Sequence, residues 1–112
     1  MQFCLILKLK AYCTIGSKHP SFLKCYGISK DESSEDYILV LEYAAMGSLR
    51  KNLCSVSQMN WKDKLTLLHC ITSDLQMIHS QGIIHRDLHS GNILQDNLHS
   101  AYIADLTFNN NQ

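Results

Sequence analysis

The longest regular spacing of apolar side chains lies in the middle of the chain. From Trp61 onward, apolar residues recur every three or four positions, at 61, 65, 68, 71, 75 and 78. This spacing is typical of an amphipathic helix and predicts one from Trp61 to Ser80, with Asn60 as its N-cap. Gly82 stands where such a helix would end. We expect its apolar face to pack in a core rather than to bind a ligand.

The first part of the chain combines a helical pattern with a pair of strands. Apolar residues between positions 3 and 15 fit a helix better than a strand, and Gly16 is expected to end it. Residues 22–28 and 37–43 are apolar runs with β-branched and aromatic side chains, and the charged residues between them are typical of a turn. The pattern therefore predicts a helix followed by a β-hairpin.

Shorter elements complete the predicted fold. Ser48 can cap a brief helix that continues to about Cys54. Residues 93–94 and 102–104 are expected to pair as a second, smaller hairpin. Helices mixed with antiparallel strand pairs, in a chain of 112 residues, predict a single domain of the α+β class.

Composition narrows the classes of function. Ten basic and ten acidic residues give a formal net charge of zero, so neither a nucleic acid nor a membrane is expected as a partner. Five cysteines, at spacings that match no zinc site, favour free thiols in a reducing compartment. The N-terminal apolar run is too short for a signal peptide or a membrane span. We therefore expect a cytoplasmic protein.

The candidate chemistry lies between the long helix and the second hairpin. Residues 83–94 contain an acid, Asp87, and an amide, Asn92, in a predicted loop. A second acid, Asp105, follows the last apolar run, and the second hairpin would bring it near Asn92. Carboxylate and amide oxygens of this kind suit a hard cation such as Mg²⁺.

The residues His85-Arg86-Asp87-Leu88, followed by Asn92, resemble the catalytic loop of the protein kinases. A chance match would have to reproduce these identities in fixed order and also place Asp105 at a workable distance. Further matches to the family follow its order along the chain: His19-Pro20, Tyr26-Gly27, Leu41-Glu42-Tyr43 and Gly47-Ser48-Leu49. The chain is thus similar to the middle of a protein kinase domain, nearest to the tyrosine-kinase-like group.

The resemblance implies a partial protein-kinase-like fold. Residues 1–43 would be the remnant of the small lobe, including its β-hairpin. Residues 44–112 would be the hinge and the start of the helical large lobe, through the metal-binding Asp105.

The same resemblance implies ATP-dependent transfer of a phosphoryl group to protein hydroxyls. Asp87 would orient the substrate hydroxyl and accept its proton, and Arg86 would pair with a phosphorylated activation loop. Asn92 and Asp105 would hold Mg²⁺. The gatekeeper, the hinge and the floor of the adenine site would be Leu41, Glu42, Tyr43, Ala44 and Leu94.

Departures from the family pattern bear on activity. The sequence has neither the glycine-rich phosphate loop nor the strand with the phosphate-binding lysine. Where the family has a glutamate that pairs with that lysine, this chain has the basic residues Lys8 and Lys10. The Asp-Phe-Gly motif reads Asp105-Leu106-Thr107, and the chain stops at Gln112, before the activation loop is complete. We therefore expect the isolated chain to be inactive, and its status as an enzyme stays open. His89 leaves serine/threonine or tyrosine specificity undecided.

Three functional interpretations follow. The first is a kinase domain, seen in truncated form, whose partners would be ATP and a protein substrate once missing segments complete it. The second is a non-catalytic pseudokinase fragment that acts as a protein-interaction module, with a protein partner on the exposed apolar face of helix 61–80. The third is a degenerate gene product without function. The same exposed face predicts poor solubility of the isolated chain.

Overall fold

The computed structural model describes residues 2–18, 22–34 and 36–106 of the chain. Two sequence features discussed above, His19-Pro20 and Thr107, lie outside these ranges. Within the ranges the α+β class is confirmed, and the elements are α1 (Gln2–Lys18), β1 (Cys25–Lys30), β2 (Tyr37–Leu41), α2 (Leu49–Ser57), α3 (Trp61–Ser80), β3 (Ile93–Leu94) and β4 (Tyr102–Ile103). A single 3₁₀ turn, Ser90–Asn92, precedes β3.

Helix α1 is longer than its sequence pattern predicts. The prediction that Gly16 ends this helix is wrong, because the helix continues to Lys18. Glycine inside a helix costs about 1 kcal/mol relative to alanine. Ile15, the preceding residue, is fully buried, and burying such a side chain contributes about 1.5–3 kcal/mol. Core packing therefore offsets the local preference of the glycine.

The first predicted hairpin is present, with shifted strand ends. Strands β1 and β2 pair in antiparallel fashion, whereas the sequence pattern placed the strands at 22–28 and 37–43. Phe22 and Leu23 lie before β1 and are buried in the core, so their apolar character reflects core packing rather than strand formation. The register shifts next to Gly27, whose φ of +135° is readily adopted only by glycine.

The two later helices begin at their predicted caps. The side chain of Ser48 caps α2, which continues to Ser57 rather than ending near Cys54. The side chain of Asn60 caps α3, which has its predicted bounds, and Gly82 follows with a φ of +73°. None of the helices within the described ranges is both long and apolar enough to cross a membrane.

Burial along α3 changes from its first half to its last turn. Trp61, Leu65 and Leu68 are exposed, and we call these three side chains the Trp61 face. Leu67 is buried, and so is Ile78 near the end of the helix. The predicted apolar face is therefore core at its C-terminal end and solvent-accessible at its N-terminal end.

The main core joins α1, the end of α3 and the segment around β4. It contains one continuous set of buried side chains: Ala11, Tyr12, Ile15, Phe22, Leu23, Ile78, Ile83, Ile103, Ala104 and Leu106. Leu106 replaces the phenylalanine of the family motif and is fully buried, so an aliphatic side chain fills this position. A smaller cluster joins α3 to β3 through Leu67, Ile93 and Ala101.

Candidate functional site

Asn92 and Asp105 lie at the open end of the β3–β4 hairpin. Ile93 of β3 pairs with Ile103 of β4. One step further along, the Ala104 N–H donates to the Asn92 carbonyl oxygen at 2.7 Å. Asn92 is therefore opposite Ala104, with Asp105 as the next residue. The second predicted hairpin is confirmed, and it places the backbone of Asn92 one residue from that of Asp105.

Asp74 of α3 attaches β4 to the long helix. Its carboxylate accepts a hydrogen bond from the Ile103 N–H at 3.0 Å. Burial raises the pKa of Asp74 to about 6, although the bond from Ile103 favours the charged form. Leaving a buried donor without a partner costs about 1–3 kcal/mol. This single contact therefore helps to keep the strand in place against the helix.

Gln95 connects the end of β3 to residues 46–47 and to α2. Its side-chain oxygen accepts a hydrogen bond from the Asn52 amide at 3.0 Å, and the residue is fully buried. Its backbone forms two more bonds, one from the Met46 N–H at 2.9 Å and one to the Gly47 carbonyl at 2.8 Å. Sequence reasoning missed this residue. Its only local signal is a long amide directly after the apolar pair of β3.

His85 joins the predicted catalytic loop to the segment after β4. Its Nε2 lies 2.6 Å from the Ala104 carbonyl oxygen, and its Nδ1 lies 3.2 Å from the Asp87 nitrogen. The Asp87 N–H can only donate, so Nδ1 accepts and Nε2 carries the proton; we assign this tautomer from the hydrogen bonds. His85 therefore acts as a neutral structural link. Arg86, which lies between His85 and Asp87 in the chain, is exposed and has a φ of +72°.

Asp87 presents its carboxylate to solvent from the same loop. Its side chain is 69% exposed. The Asn92 amide donates to the Asp87 carbonyl oxygen at 2.8 Å and lies 3.5 Å from its carboxylate. His89 Nε2 is 3.7 Å from that carboxylate. The loop therefore brings Asp87 and Asn92 together and leaves the Asp87 carboxylate exposed to solvent.

Arg50 of α2 also reaches this loop. Its guanidinium lies 3.2 Å from Nδ1 of His89 and 3.4 Å from the Ser90 hydroxyl. Sequence reasoning missed Arg50, because the approach of α2 to the loop depends on tertiary packing and has no local signature.

Helix α1 holds Asp105 at two points. Lys8 Nζ lies 2.6 Å from Oδ1 of Asp105. The Asp105 N–H donates to the Tyr12 hydroxyl oxygen at 2.8 Å. Burial raises the pKa of Tyr12 to about 12, so this hydroxyl stays neutral at ordinary pH. The sequence showed a base where the family has an acid, but not this contact. The available signal was the spacing of four residues, which places Lys8 and Tyr12 on one helix face.

The two predicted Mg²⁺ ligands have suitable oxygens but an unsuitable charge. Carboxylate and carboxamide oxygens are the donors that Mg²⁺ prefers. However, Asp105 already has the ammonium group of Lys8 as its counter-ion. Within the described part of the chain, no group of three or more His, Cys, Asp or Glu side chains could hold a metal ion. In this arrangement the predicted pair offers a divalent ion a carboxylate whose charge Lys8 already neutralises.

The predicted nucleotide-contacting residues lie at the ends of β2 and β3. Leu41 and Leu94 are half-buried and pack against the main core. The Glu42 N–H donates to the Lys24 carbonyl oxygen at 2.8 Å, and the Ala44 carbonyl oxygen accepts from the Gly47 N–H at 3.1 Å. The Glu42 carbonyl and the Ala44 N–H, which belong to the predicted hinge, are not used in these bonds. Tyr43 is exposed.

Comparison with known proteins agrees with this arrangement. Residues 6–112 match the family model for protein tyrosine and serine/threonine kinases. The chain is 35% identical over 94 residues to leaf rust 10 disease-resistance locus receptor-like protein kinase-like 1.2 of Arabidopsis thaliana, covering 80% of this chain and 14% of that protein. It is 33% identical over 90 residues to a probable serine/threonine-protein kinase of Dictyostelium discoideum, covering 80% and 15%. It thus spans about a seventh of the length of these relatives. Because the match includes the loop around Asp87, the chain belongs to the protein tyrosine and serine/threonine kinase family.

Proposed function

We propose that this chain is the hinge and catalytic-loop part of a protein kinase domain that uses ATP to phosphorylate protein hydroxyls. The observation that carries the proposal is the loop itself, in which His85 and Asn92 hold the backbone of Asp87 and leave its carboxylate exposed. In this role Asp87 orients the substrate hydroxyl and accepts its proton. Arg86, exposed beside it, would pair with a phosphorylated segment of the same domain.

Residues 41–44 and Leu94 would form the adenine end of the site. The Glu42 carbonyl and the Ala44 N–H would meet the adenine edge, with Leu41 as gatekeeper and Leu94 as the floor. The Glu42 side chain accepts a hydrogen bond from the Lys24 N–H at 3.2 Å, which supports the start of this hinge. In this division, residues 1–43 belong to the small lobe and residues 44–112 to the hinge and large lobe.

These 112 residues alone should transfer phosphate very slowly. They include no glycine-rich loop, and the first acid in the sequence is Asp31, well beyond α1. Phosphoryl transfer depends mainly on positioning and electrostatic stabilisation, and losing one preorganised donor typically costs about a hundredfold to a thousandfold in rate. Nucleotide binding is therefore a better test of the proposal than turnover.

The binding test uses a fluorescent ATP analogue and two matched substitutions. Leu94→Phe places a larger side chain on the proposed adenine floor and should weaken binding at least about fivefold, because an overfilled pocket must distort. Leu53→Phe makes the same change at an exposed position of α2 and should leave affinity unchanged. No binding at millimolar analogue, or equal weakening by both substitutions, would contradict the proposed nucleotide site.

The Trp61 face supports a second candidate function, a non-catalytic interaction module. Trp61, Leu65 and Leu68 form an exposed apolar group on one face of α3, and such groups mark protein contact sites or aggregation liabilities. The double substitution Leu65→Lys/Leu68→Lys should raise the soluble, monomeric fraction measured by sedimentation velocity. Leu53→Lys, on α2, should not. A wild-type chain that is already soluble and monomeric would remove this support.

A further inference from the structure

The ion pair between Lys8 and Asp105 is closer than the two histidine–aspartate contacts seen among the described residues. Its atoms are 2.6 Å apart, against 3.5 and 3.7 Å for the two histidine–aspartate pairs at His99 and His89. Both side chains are partly withdrawn from solvent, with exposures of 30% for Lys8 and 38% for Asp105. Partly buried charges are screened less by salt than exposed ones.

The position of Lys8 is fixed by the rest of α1. Tyr12, one turn later on the same face, accepts the Asp105 N–H and is itself buried. Ala11 and Ile15 anchor the helix in the main core. The Lys8 ammonium is therefore delivered to Asp105 by a packed helix, not by a mobile surface segment.

We propose that Lys8 is the resident cation of Asp105 and takes the place of a divalent metal ion there. A divalent ion at this carboxylate would have to displace the ammonium or approach it closely, and like charges repel. An ammonium has three donors, so after binding Asp105 it can still donate to a phosphate oxygen. Nucleotide binding by this chain would then not require Mg²⁺. This last step rests on the proposed nucleotide site.

Metal binding by the 112-residue chain tests the first step directly. With Mn²⁺ as the probe and electron paramagnetic resonance as the readout, Lys8→Gln should bind the ion at least about tenfold more tightly than the wild type, because a competing charge is removed. Lys8→Met, which keeps the aliphatic length, should show the same gain. Lys18→Gln removes an equal charge at the far end of α1 and should show none.

A double variant locates the gained site. In Lys8→Gln/Asp105→Asn the gain should disappear, because the carboxylate is gone. Circular dichroism confirms that each variant keeps its helices. Equal Mn²⁺ affinity in the wild type and both Lys8 variants, or a gain that persists without Asp105, would overturn the proposal.

Nucleotide binding tests the second step and separates it from the proposed function. The affinity for the fluorescent ATP analogue should change less than about twofold between EDTA and Mg²⁺ in the wild type, whereas Lys8→Gln should bind at least about fivefold more tightly with Mg²⁺. A strong Mg²⁺ requirement in the wild type would overturn metal-independent binding. Absence of nucleotide binding in every variant would instead overturn the proposed nucleotide site, and the Mn²⁺ comparison would still decide the role of Lys8.

Discussion

Of the two antiparallel strand pairs described in this chain, the longer is mostly exposed and the shorter is mostly buried. The β1–β2 pair has five partnered positions and is largely exposed, with Ile38 at 50%. The β3–β4 pair has two partnered positions, and Ile103 in it is fully buried. The smaller pair is also the one that places Asn92 beside Asp105. Ladder length is therefore a poor guide to which strands position the site.

The difference lies in what surrounds each pair. An isolated two-stranded ribbon is at best marginally stable in water. The β3–β4 pair is held from outside by Asp74 on α3, His85 in the loop and the buried Gln95. Each of these polar side chains bonds the backbone or an amide of another segment. The site thus depends on tertiary contacts more than on strand pairing.

The largest expected difference between the two strand pairs is in the stability lost when a buried or an exposed isoleucine is shortened. Ile103→Ala should lower the free energy of unfolding by about 2–5 kcal/mol, because it leaves a cavity in the main core. Ile38→Ala, the same change in β2, should cost about 0.5 kcal/mol or less. Urea denaturation followed by circular dichroism measures both. Equal losses would mean that the two pairs contribute equally to stability.

The second expected difference is in how stability depends on pH, for the buried Asp74 beside β4 and the exposed Asp36 beside β2. The pKa of Asp74 is raised to about 6 from an ordinary value of 3.8, so between these values the folded chain keeps a proton that the unfolded chain has lost. The stabilisation from this proton is complete below pH 3.8 and is lost as the pH rises through 6. Asp74→Asn should match the wild type near pH 4 and exceed its stability at pH 7 by up to about 3 kcal/mol.

The matched control for Asp74 lies in the loop between β1 and β2. Asp36 is exposed, and Asp36→Asn should shift stability by no more than about 0.5 kcal/mol at either pH. Urea denaturation at intervals from pH 4 to 7.5 gives the pH dependence of each chain. If Asp74→Asn is less stable than the wild type at pH 7, the Asp74 charge is better compensated than its contact with Ile103 indicates.

The smallest expected difference concerns two tyrosine hydroxyls. Tyr12→Phe removes the acceptor of the Asp105 N–H and should cost about 1 kcal/mol, the typical net value of one hydrogen bond. Tyr26→Phe, on the exposed surface of β1, should be neutral. Thermal denaturation resolves a change of this size in a chain of 112 residues. A neutral Tyr12→Phe would show that Lys8 alone is enough to hold Asp105.

Local signals accounted for most of the fold. The caps Ser48 and Asn60, the glycine after α3 and the β-branched runs each act within a few residues, so the helix starts and both hairpins followed from them. Errors arose where the core overrides local preference. Gly16 stays helical beside buried Ile15, and Phe22 packs in the core instead of joining β1.

The candidate site likewise contains some contacts that follow from local sequence and others that depend on tertiary packing. Asp87, Asn92 and Asp105 were predictable because a short loop and a two-residue ladder bring them together. The approach of Lys8 to Asp105 joins residues 97 positions apart, and that of Arg50 to His89 joins residues 39 apart. Such contacts depend on how helices pack, which no local pattern specifies.

The backbone bonds that join residues 46–47 to Gln95 have a consequence for motion. The Met46 N–H donates to the Gln95 carbonyl oxygen, and the Gln95 N–H donates to the Gly47 carbonyl oxygen. Next to them, Ser48 and Leu94 form an isolated β-bridge. Hydrogen-bonded backbone of this kind opens in cooperative units, so residues 46–48 and β3 with Gln95 should exchange their amide hydrogens with solvent together. A displacement of residues 46–48 would therefore also move β3, the strand that follows the loop carrying Asp87.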